Sequence, residues 1–129
     1  MSAVDSLRTS IDALRTLVGE SHVLTSDLDK APFLLDWRRR YHAKAQAVVL
    51  PGSTAEVASV VAWCAETRTP IVPQGGNTGL VNGGVPDASG TQVLMSLQRL
   101  NKVRAIDTAN LSLVAEAGKR VDQVLTPLG

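Results

Sequence analysis

Apolar residues near the start of the chain recur at steps of three and four positions. They are Val4, Leu7, Ile11, Leu14 and Val18. This spacing places them on one face of an α-helix. Ser2 is suited to cap the beginning of that helix, and Gly19 follows the last apolar position as a stop. The polar face carries charges of both signs, so the pattern predicts a scaffold helix that packs against the rest of the protein.

The segment from Ser21 to Ala47 has no clean period. Val23-Leu24-Thr25 is compatible with a short extended piece, whereas Ala31 to Trp37 follows neither a helical nor a strand pattern. We interpret the segment as an irregular connection. The chain is therefore divided into residues 1–46, an N-terminal helix and an irregular segment, and residues 47–129.

Residues 47–73 predict a strand, a helix and a second strand. Ala47-Val48-Val49-Leu50 is a short apolar run that ends at Pro51-Gly52, which is typical of a buried strand entering a turn. Ser53-Thr54-Ala55-Glu56 matches a capping box, in which the Ser hydroxyl and the Glu carboxylate satisfy backbone amides at the start of a helix. The helix has four residues on one face: Val57, Val60, Val61 and Cys64. Pro70-Ile71-Val72-Pro73 follows as a strand, so these elements predict a βαβ unit with a parallel pair.

The last third of the chain predicts further strands. Gln92 to Leu97 is a third strand candidate, and Val103–Asp107 and Leu111–Glu116 form a hairpin with Asn110 in its turn. A helix begins at Val121 and is stopped by the proline and glycine near the end of the chain. The fold class is α+β: a small βαβ-containing parallel sheet with flanking helices, followed by the start of an antiparallel subdomain.

The stretch Pro73 to Pro86 holds half of the ten glycines in the chain. Glycine takes positive φ freely and has no side chain to keep a ligand away, so two Gly-Gly pairs and Gly79 predict a loop lined by backbone amides. Amides that point the same way form a concave anion site, for which a pyrophosphate is the natural ligand. Because the loop follows a strand, it lies where open α/β sheets bind ligands. The alternative is a surface turn that binds nothing.

Composition limits the classes of function. The 129 residues suffice for one domain, and 13 basic against 12 acidic residues give a net charge of +1, which favours neither nucleic acid nor an anionic membrane as a partner. Cys64 is the only cysteine, so the sequence excludes an internal disulfide and favours a cytoplasmic protein. Its valine neighbours indicate a small buried hydrophobe. No apolar run approaches the length of a membrane span.

Common catalytic and nucleotide-binding motifs are missing. The glycines are followed by another strand and not by a helix, which excludes the Gly-x-Gly-x-x-Gly dinucleotide fingerprint, and no Gly-Lys-Ser/Thr completes a Walker A motif. His22 and His42 have no metal-ligand spacing and are interpreted as surface residues. We predict no catalytic and no metal-binding residue in the chain. Any chemistry must therefore be carried by a cofactor that the protein holds.

Four ordered blocks resemble the N-terminal part of FAD-linked oxidases of the vanillyl-alcohol oxidase type, in particular the branch of D-lactate, glycolate and D-2-hydroxyglutarate dehydrogenases. The blocks are Val48 to Val57, Pro70 to Val81, Leu94 to Lys102 and Val114 to Gly118. The resemblance implies that FAD is the cofactor and that its pyrophosphate is wrapped by the loop. The implied cofactor-binding residues are Pro73, Gln74, Gly75, Gly76, Asn77, Thr78, Gly79 and Leu80. Asn77 and Thr78 would add hydrogen bonds, and the reaction would be hydride transfer from a D-2-hydroxy acid to the flavin.

The sequence departs from the family pattern in three places. Asn82 stands where the family usually has glycine, Lys119-Arg120 replaces a more apolar continuation, and the chain ends at Gly129 before the second FAD-binding stretch and the substrate domain. We therefore expect a truncated FAD-binding portion that is inactive alone and whose partner is FAD or the remainder of the enzyme. The alternative is a non-catalytic module that self-associates.

One basic run, Arg38-Arg39-Arg40-Tyr41-His42, falls within the irregular segment. A short charge run is usually solvated, so we interpret it as an exposed loop. The alternative is that one arginine reaches a phosphate or a flavin edge.

Overall fold

The computed structural model describes residues 3–35, 43–79 and 83–120. Its elements are helix α1 (Ala3–Val18), a 3-10 turn (Glu20–His22), strand β1 (Val23–Leu24), helix α2 (Asp27–Leu34), strand β2 (Ala47–Val49), helix α3 (Thr54–Thr67) and strands β3 (Ile71–Gln74), β4 (Val93–Ser96), β5 (Val103–Asp107) and β6 (Ser112–Ala115). The predicted α+β class is confirmed, with parallel strands in one sheet and an antiparallel pair in another. The division at residues 46 and 47 stays a prediction.

The main sheet has the strand order β1-β2-β4-β3. Strand β4 pairs in parallel with β2 on one side and with β3 on the other, and β1 is antiparallel to β2. The predicted direct pairing of β2 with β3 is therefore wrong, because β4 lies between these two parallel strands. All four residues of β4 are buried, as expected for a central strand covered on both faces.

Two apolar clusters cover the two faces of this sheet. The first contains buried residues of α1, α3 and the sheet: Leu14, Val18, Val23, Ala47, Val49, Val60, Cys64, Val93 and Met95. The second contains Ala45, Val48, Leu50 and Leu94, against which Phe33 and Leu34 of α2 pack. The sheet is thus sandwiched between α1 and α3 on one side and α2 on the other.

Helix α1 agrees with the predicted pattern at Ile11, Leu14 and Val18, whereas the side chains of Val4 and Leu7 lie outside the described part of the structure. Leu14 and Val18 are buried in the first cluster, and Ile11 and Leu17 pack against it. Gly19 ends the helix with a φ of 95°, a conformation that glycine adopts without strain, and its N–H donates to the carbonyl of Arg15.

Helix α2 contradicts the prediction of an irregular connection between Ser21 and Ala47. The hydroxyl of Ser26 accepts a hydrogen bond from the N–H of Asp29 and so caps the helix. Only two residues separate the end of strand β1 from the start of α2. Lys30 holds the helix further by donating from Nζ to the carbonyl of Ala45 at 2.8 Å. Pro32 inside the helix obscured the local pattern.

Helix α3 has the predicted cap with one change of partner. Ser53 Oγ accepts from the N–H of Glu56, but the Glu56 carboxylate accepts from the N–H of Gly52 and not from that of Ser53. Val60 and Cys64 are buried as predicted, whereas Val61 is 45% exposed, which makes its assignment to the buried face wrong. Each residue turns the helix by about 100°, so Val61 is rotated away from the face that Val60 presents to the sheet.

The β5–β6 hairpin is confirmed as an antiparallel pair, separate from the main sheet. The Asp107 carboxylate orders its turn by accepting from the N–H groups of Ala109 and Asn110. The left-handed residue of this turn is Leu111, with a φ of 52°, and not Asn110. Several sequence predictions lie outside the described residues: the Ser2 cap, the basic run at 38–42, the role of Asn82 and the helix from Val121.

Candidate functional site

The glycine loop leaves the carboxyl end of β3 directly after Gln74, as predicted. Because β2, β3 and β4 are parallel, their carboxyl ends meet at one edge of the sheet. This is the edge at which open α/β sheets bind ligands. The topology therefore places the loop at a position suited to a ligand.

The loop forms the wall of a cleft of about 230 Å³. The lining residues are Gln74, Gly75, Gly76, Asn77, Thr78, Gly79, Gly84 and Val85. None of these residues carries a charge, and a glycine can present only main-chain atoms to a cleft. Peptide dipoles therefore provide most of the polarity of this wall, which suits a ligand held by backbone groups.

A second cleft of about 380 Å³ shares the residues 74–77 with the first. Its other lining residues are Pro32, Phe33, Gln98, Asn101, Gly118 and Arg120. They come from α2, from the segment between β4 and β5, and from the segment after β6. The loop thus has ligand-sized space on two sides, and Arg120 contributes positive charge to the second.

Six of the eight predicted cofactor-binding residues, from Gln74 to Gly79, lie together along the first cleft. Pro73 is an exposed residue of β3 and is not among the lining residues of either cleft. Leu80 lies outside the described residues. The structure therefore brings most of the predicted loop residues to one place, while their contacts with a cofactor stay a prediction.

The loop glycines do not have the positive φ that the sequence argument invoked. Within the described part of the chain, the glycines with positive φ are Gly19 and Gly90, whereas the loop places Asn77 in the left-handed region with a φ of 56°. Asn tolerates this region better than most residues because its short side chain bonds locally. Within the described part of the chain, no heavy atom beyond the adjoining residues lies within 4 Å of a Cβ added at Gly76 or Gly79. The absence of a side chain therefore keeps open space on the cleft side of the loop.

Two amide side chains of the loop point toward the protein. Gln74 is 4% exposed, and its Nε2 donates to the carbonyls of Phe33 and Gly84, each at 2.8 Å. Asn77 donates from Nδ2 to the carbonyl of Leu35. The resemblance implied an Asn77 hydrogen bond to the cofactor, but a donor of this side chain is engaged with the segment that follows α2.

Sequence reasoning missed the residues that lie beside the loop in space but are distant from it in sequence. Phe33 belongs to a segment interpreted as irregular. Gln98, Asn101 and Gly118 lie in blocks that carry the family resemblance, but the sequence assigned them no role in the cleft. Since these residues reach the cleft through strand order and packing, no local pattern identifies them.

Cys64 and His22 have structural roles. Burial raises the pKa of the Cys64 thiol, which agrees with a small buried hydrophobe and disfavours a reactive thiolate. His22 donates from Nδ1 to the carbonyl of Val18 at 2.9 Å and so satisfies the end of α1. Within the described ranges no cluster of three His, Cys, Asp or Glu residues could hold a metal ion.

A family model described as an FAD binding domain matches residues 45–128. The chain belongs to this family, which confirms the resemblance and FAD as the cofactor. The matched range contains the whole of the glycine loop.

Several curated relatives are D-2-hydroxyglutarate dehydrogenases by name. A probable mitochondrial D-2-hydroxyglutarate dehydrogenase of Oryza sativa subsp. indica is 36% identical over 108 residues, which are 84% of this chain and 19% of the relative. D-2-hydroxyglutarate dehydrogenase of Xanthomonas citri pv. viticola is 34% identical over 119 residues, which are 92% of this chain and 23% of the relative. The chain thus spans about a fifth of the length of these relatives.

Solved structures show the same fold at lower identity. p-Cresol methylhydroxylase with bound substrate matches with a TM-score of 0.80 and 22% identity, over 96% of this chain and 24% of that chain. 4-Ethylphenol oxidase from Gulosibacter chungangensis also matches with a TM-score of 0.80 and 22% identity, over 99% of this chain and 25% of that chain. This chain therefore shares its arrangement of helices and strands with parts of these two proteins.

The residues of the first cleft fit the pyrophosphate of FAD. The wall is neutral and rich in main chain, and the open space beside Gly76 and Gly79 allows a ligand to approach the backbone.

Of the described helices, none is both long and apolar enough to cross a membrane. A cytoplasmic location stays a prediction, since the name of the rice relative includes the word mitochondrial.

Proposed function

We propose that this chain is the FAD-holding portion of a flavin-dependent dehydrogenase that oxidises a D-2-hydroxy acid. Relatives named D-2-hydroxyglutarate dehydrogenase support this substrate class. Because the match covers only 19% to 23% of those relatives, we also propose that these 129 residues do not carry out the oxidation alone.

The observation that carries the proposal is the glycine wall of the first cleft. Gly75, Gly76 and Gly79 bring the main chain to the surface, and Thr78 adds a hydroxyl beside them. These residues would hold the pyrophosphate through backbone amides. FAD, when bound, supplies the hydride acceptor that the protein itself lacks.

A titration of the purified chain with FAD tests the proposal. The unmodified chain is expected to change the visible flavin spectrum at a fixed stoichiometry. Gly76→Val is expected to weaken binding by about tenfold or more, roughly 1.4 kcal/mol, because the side chain occupies the ligand side of the loop. Its free energy of unfolding should change by less than about 0.5 kcal/mol, since a Cβ at this position meets no atom of the described residues beyond its chain neighbours.

Ser59→Ala provides the control, because Ser59 is exposed on α3 and its hydroxyl donates to the carbonyl of Ala55 in the same helix. This variant should bind FAD as the unmodified chain does. Absence of FAD binding by the unmodified chain would contradict the proposal that these residues suffice to hold the cofactor. Equal loss of folding and binding in Gly76→Val would instead indicate a structural loop.

The hairpin favours a second candidate function, self-association. Ile106, Leu111 and Val114 are 46%, 93% and 54% exposed. The strand register pairs Ile106 with Leu113 and Val114 with Ala105, so the hairpin exposes apolar side chains on both faces. Exposed apolar surface of this kind favours contact with another protein.

Sedimentation velocity over a range of protein concentrations tests this candidate. The mean mass is expected to rise with concentration, and the double substitution Ile106→Thr with Val114→Thr should reduce the rise. Val61→Thr is the matched control, since it makes the same kind of change at an exposed position on α3. A monomer at every concentration would rule the candidate out.

A further inference from the structure

The buried amide of Gln74 joins two segments that are far apart in sequence. A carboxamide nitrogen has two hydrogens, and here it bonds to two carbonyls, that of Phe33 in α2 and that of Gly84 in the returning arm of the loop. Gln74 itself ends β3, which is fixed in the sheet by β4. One side chain thus ties the sheet, α2 and the far arm of the loop together.

Asn77 provides a parallel connection from the middle of the loop. Its Nδ2 donates to the carbonyl of Leu35, immediately after α2, while its backbone makes the left-handed turn. The side chain therefore fastens the loop at its point of reversal. Gln74 and Asn77 together make three hydrogen bonds, and two of these end on carbonyls in residues 33–35.

These bonds hold the walls of both clefts in place. Phe33 lines the second cleft, Gly84 lines the first, and Gln74 and Asn77 line both. Among the described residues, no backbone hydrogen bond joins α2 to the sheet, but the apolar contacts of Phe33 and Leu34 place one side of the helix on it. The two amides are the polar contacts that set the spacing between α2 and the loop.

On this basis, and resting on the proposed function, we propose that Gln74 and Asn77 are positioning residues for the cofactor. Their side chains shape the loop before a ligand arrives and leave the main chain of the glycines to hold the pyrophosphate. A shaped loop binds more tightly because less order has to be imposed at the moment of binding. The contribution of both residues to affinity therefore acts through the order of the loop.

Three variants test the proposal. Gln74→Glu replaces two donors by acceptors opposite two carbonyls, and Asn77→Gly keeps the left-handed backbone but removes the bond to Leu35. Gln46→Glu is the matched control, because Gln46 Nε2 donates to the carbonyl of Thr91 before the amino ends of β2 and β4. Gln46→Glu thus removes a hydrogen bond from a side-chain amide to a backbone carbonyl, at the end of the strands opposite to the loop.

Amide hydrogen exchange of the protein without FAD is the decisive measurement, accompanied by FAD titration. Gln74→Glu and Asn77→Gly are expected to speed exchange in residues 33–35, 75–79 and 83–85 and to weaken FAD binding by about tenfold. Gln46→Glu should leave both unchanged in these residues. If Gln74→Glu does not fold, Asn77→Gly provides the test. Glycine readily adopts the left-handed backbone conformation that Asn77 has in the loop.

Weaker FAD binding with unchanged exchange would overturn the proposal, because it would show that the side chains contact FAD directly. Unchanged exchange and unchanged binding would overturn it as well. If the unmodified chain bound no FAD, the proposed function would fail. The exchange comparison would still decide whether the two amides order the loop.

Discussion

Gly118 is a position at which the protein has no room for a side chain. An added Cβ would lie 1.8 Å from the carbonyl oxygen of Leu97 and 2.8 Å from that of Leu100. The N–H of Gly118 also donates to the Leu100 carbonyl at 2.7 Å. This glycine lets the chain after β6 pass against the turn that follows β4.

Gly118→Ala is therefore expected to destabilise the protein by about 3 kcal/mol or more, at the upper end of the cost of overpacking, because its neighbours are backbone atoms. Urea denaturation measures the effect. Gly79→Ala is the matched control and should leave stability unchanged or raise it by about 0.4–1 kcal/mol, since its Cβ meets no protein atom and the unfolded chain loses freedom. Equal stability of the two variants would show that the contacts at Gly118 relax without cost.

The two kinds of glycine cannot be told apart by composition. Gly76 and Gly118 both belong to family blocks, yet one faces open space and the other faces backbone. The sequence predicted that the loop glycines lie together at the end of β3, and the structure agrees. It also led to the expectation of positive φ at these glycines, whereas Asn77 makes the left-handed turn. The direction of each backbone depends on neighbours that are distant in sequence.

At the level of elements, local signals were sufficient where an element is long or ended by strong caps. Helix α1 was predicted correctly from its apolar spacing and helix α3 from its capping box. The strands of the main sheet were predicted from short continuous apolar runs. Helix α2 was missed because it has eight residues and contains Pro32. Its stability comes from tertiary contacts, namely the packing of Phe33 and Leu34 and the bond from Lys30 to Ala45.

Strand order was the second point at which local signals failed. A strand, a helix and a strand in sequence predicted that β2 and β3 pair, but the structure places β4 between them. Three of the four residues of β4 are apolar and all four are buried, so the strand is most stable where both faces are covered, in the interior of the sheet. The choice of neighbour thus follows from burial of the whole sheet and not from chain order.

At the scale of the whole molecule, Arg104 links the hairpin to the main body and is held in place by Glu116. Its carboxylate accepts from the N–H of Lys102 and from Arg104 Nη2, each at 3.0 Å, and the same Arg104 nitrogen donates to Thr54 Oγ1 at the start of α3. The hydrogen bond from Lys102, together with Arg104, lowers the pKa of Glu116 below its ordinary value of 4.5. Protonation of Glu116 therefore opposes folding.

The sign of the pH dependence follows. Unfolded Glu116 binds a proton more readily than folded Glu116, so its contribution to stability is present above about pH 4.5 and is lost as the pH falls through the folded-state pKa. Glu116→Gln is expected to reduce the slope of unfolding free energy against pH below roughly pH 5. Urea denaturation at a series of pH values measures this slope.

Part of the slope should remain in Glu116→Gln, because hydrogen bonds also lower the pKa of Asp87 through Ser89 and of Asp107 through Asn110. An identical slope in the variant and the unmodified protein would show that Glu116 does not couple proton binding to folding. Asp107→Asn is the comparison within the same hairpin, since the hydrogen bonds described for the Asp107 carboxylate stay within the turn.

The sequence by itself determined the local features of this protein: the face of α1, the cap of α3, the short strands, and a glycine-rich loop suited to a pyrophosphate. These features depend on residues within a few positions of one another. Only the tertiary structure decided the place of β4, the existence of α2, and the inward direction of the Gln74 and Asn77 amides. Each of these depends on burial and on hydrogen-bond acceptors supplied by distant parts of the chain, which no local pattern encodes.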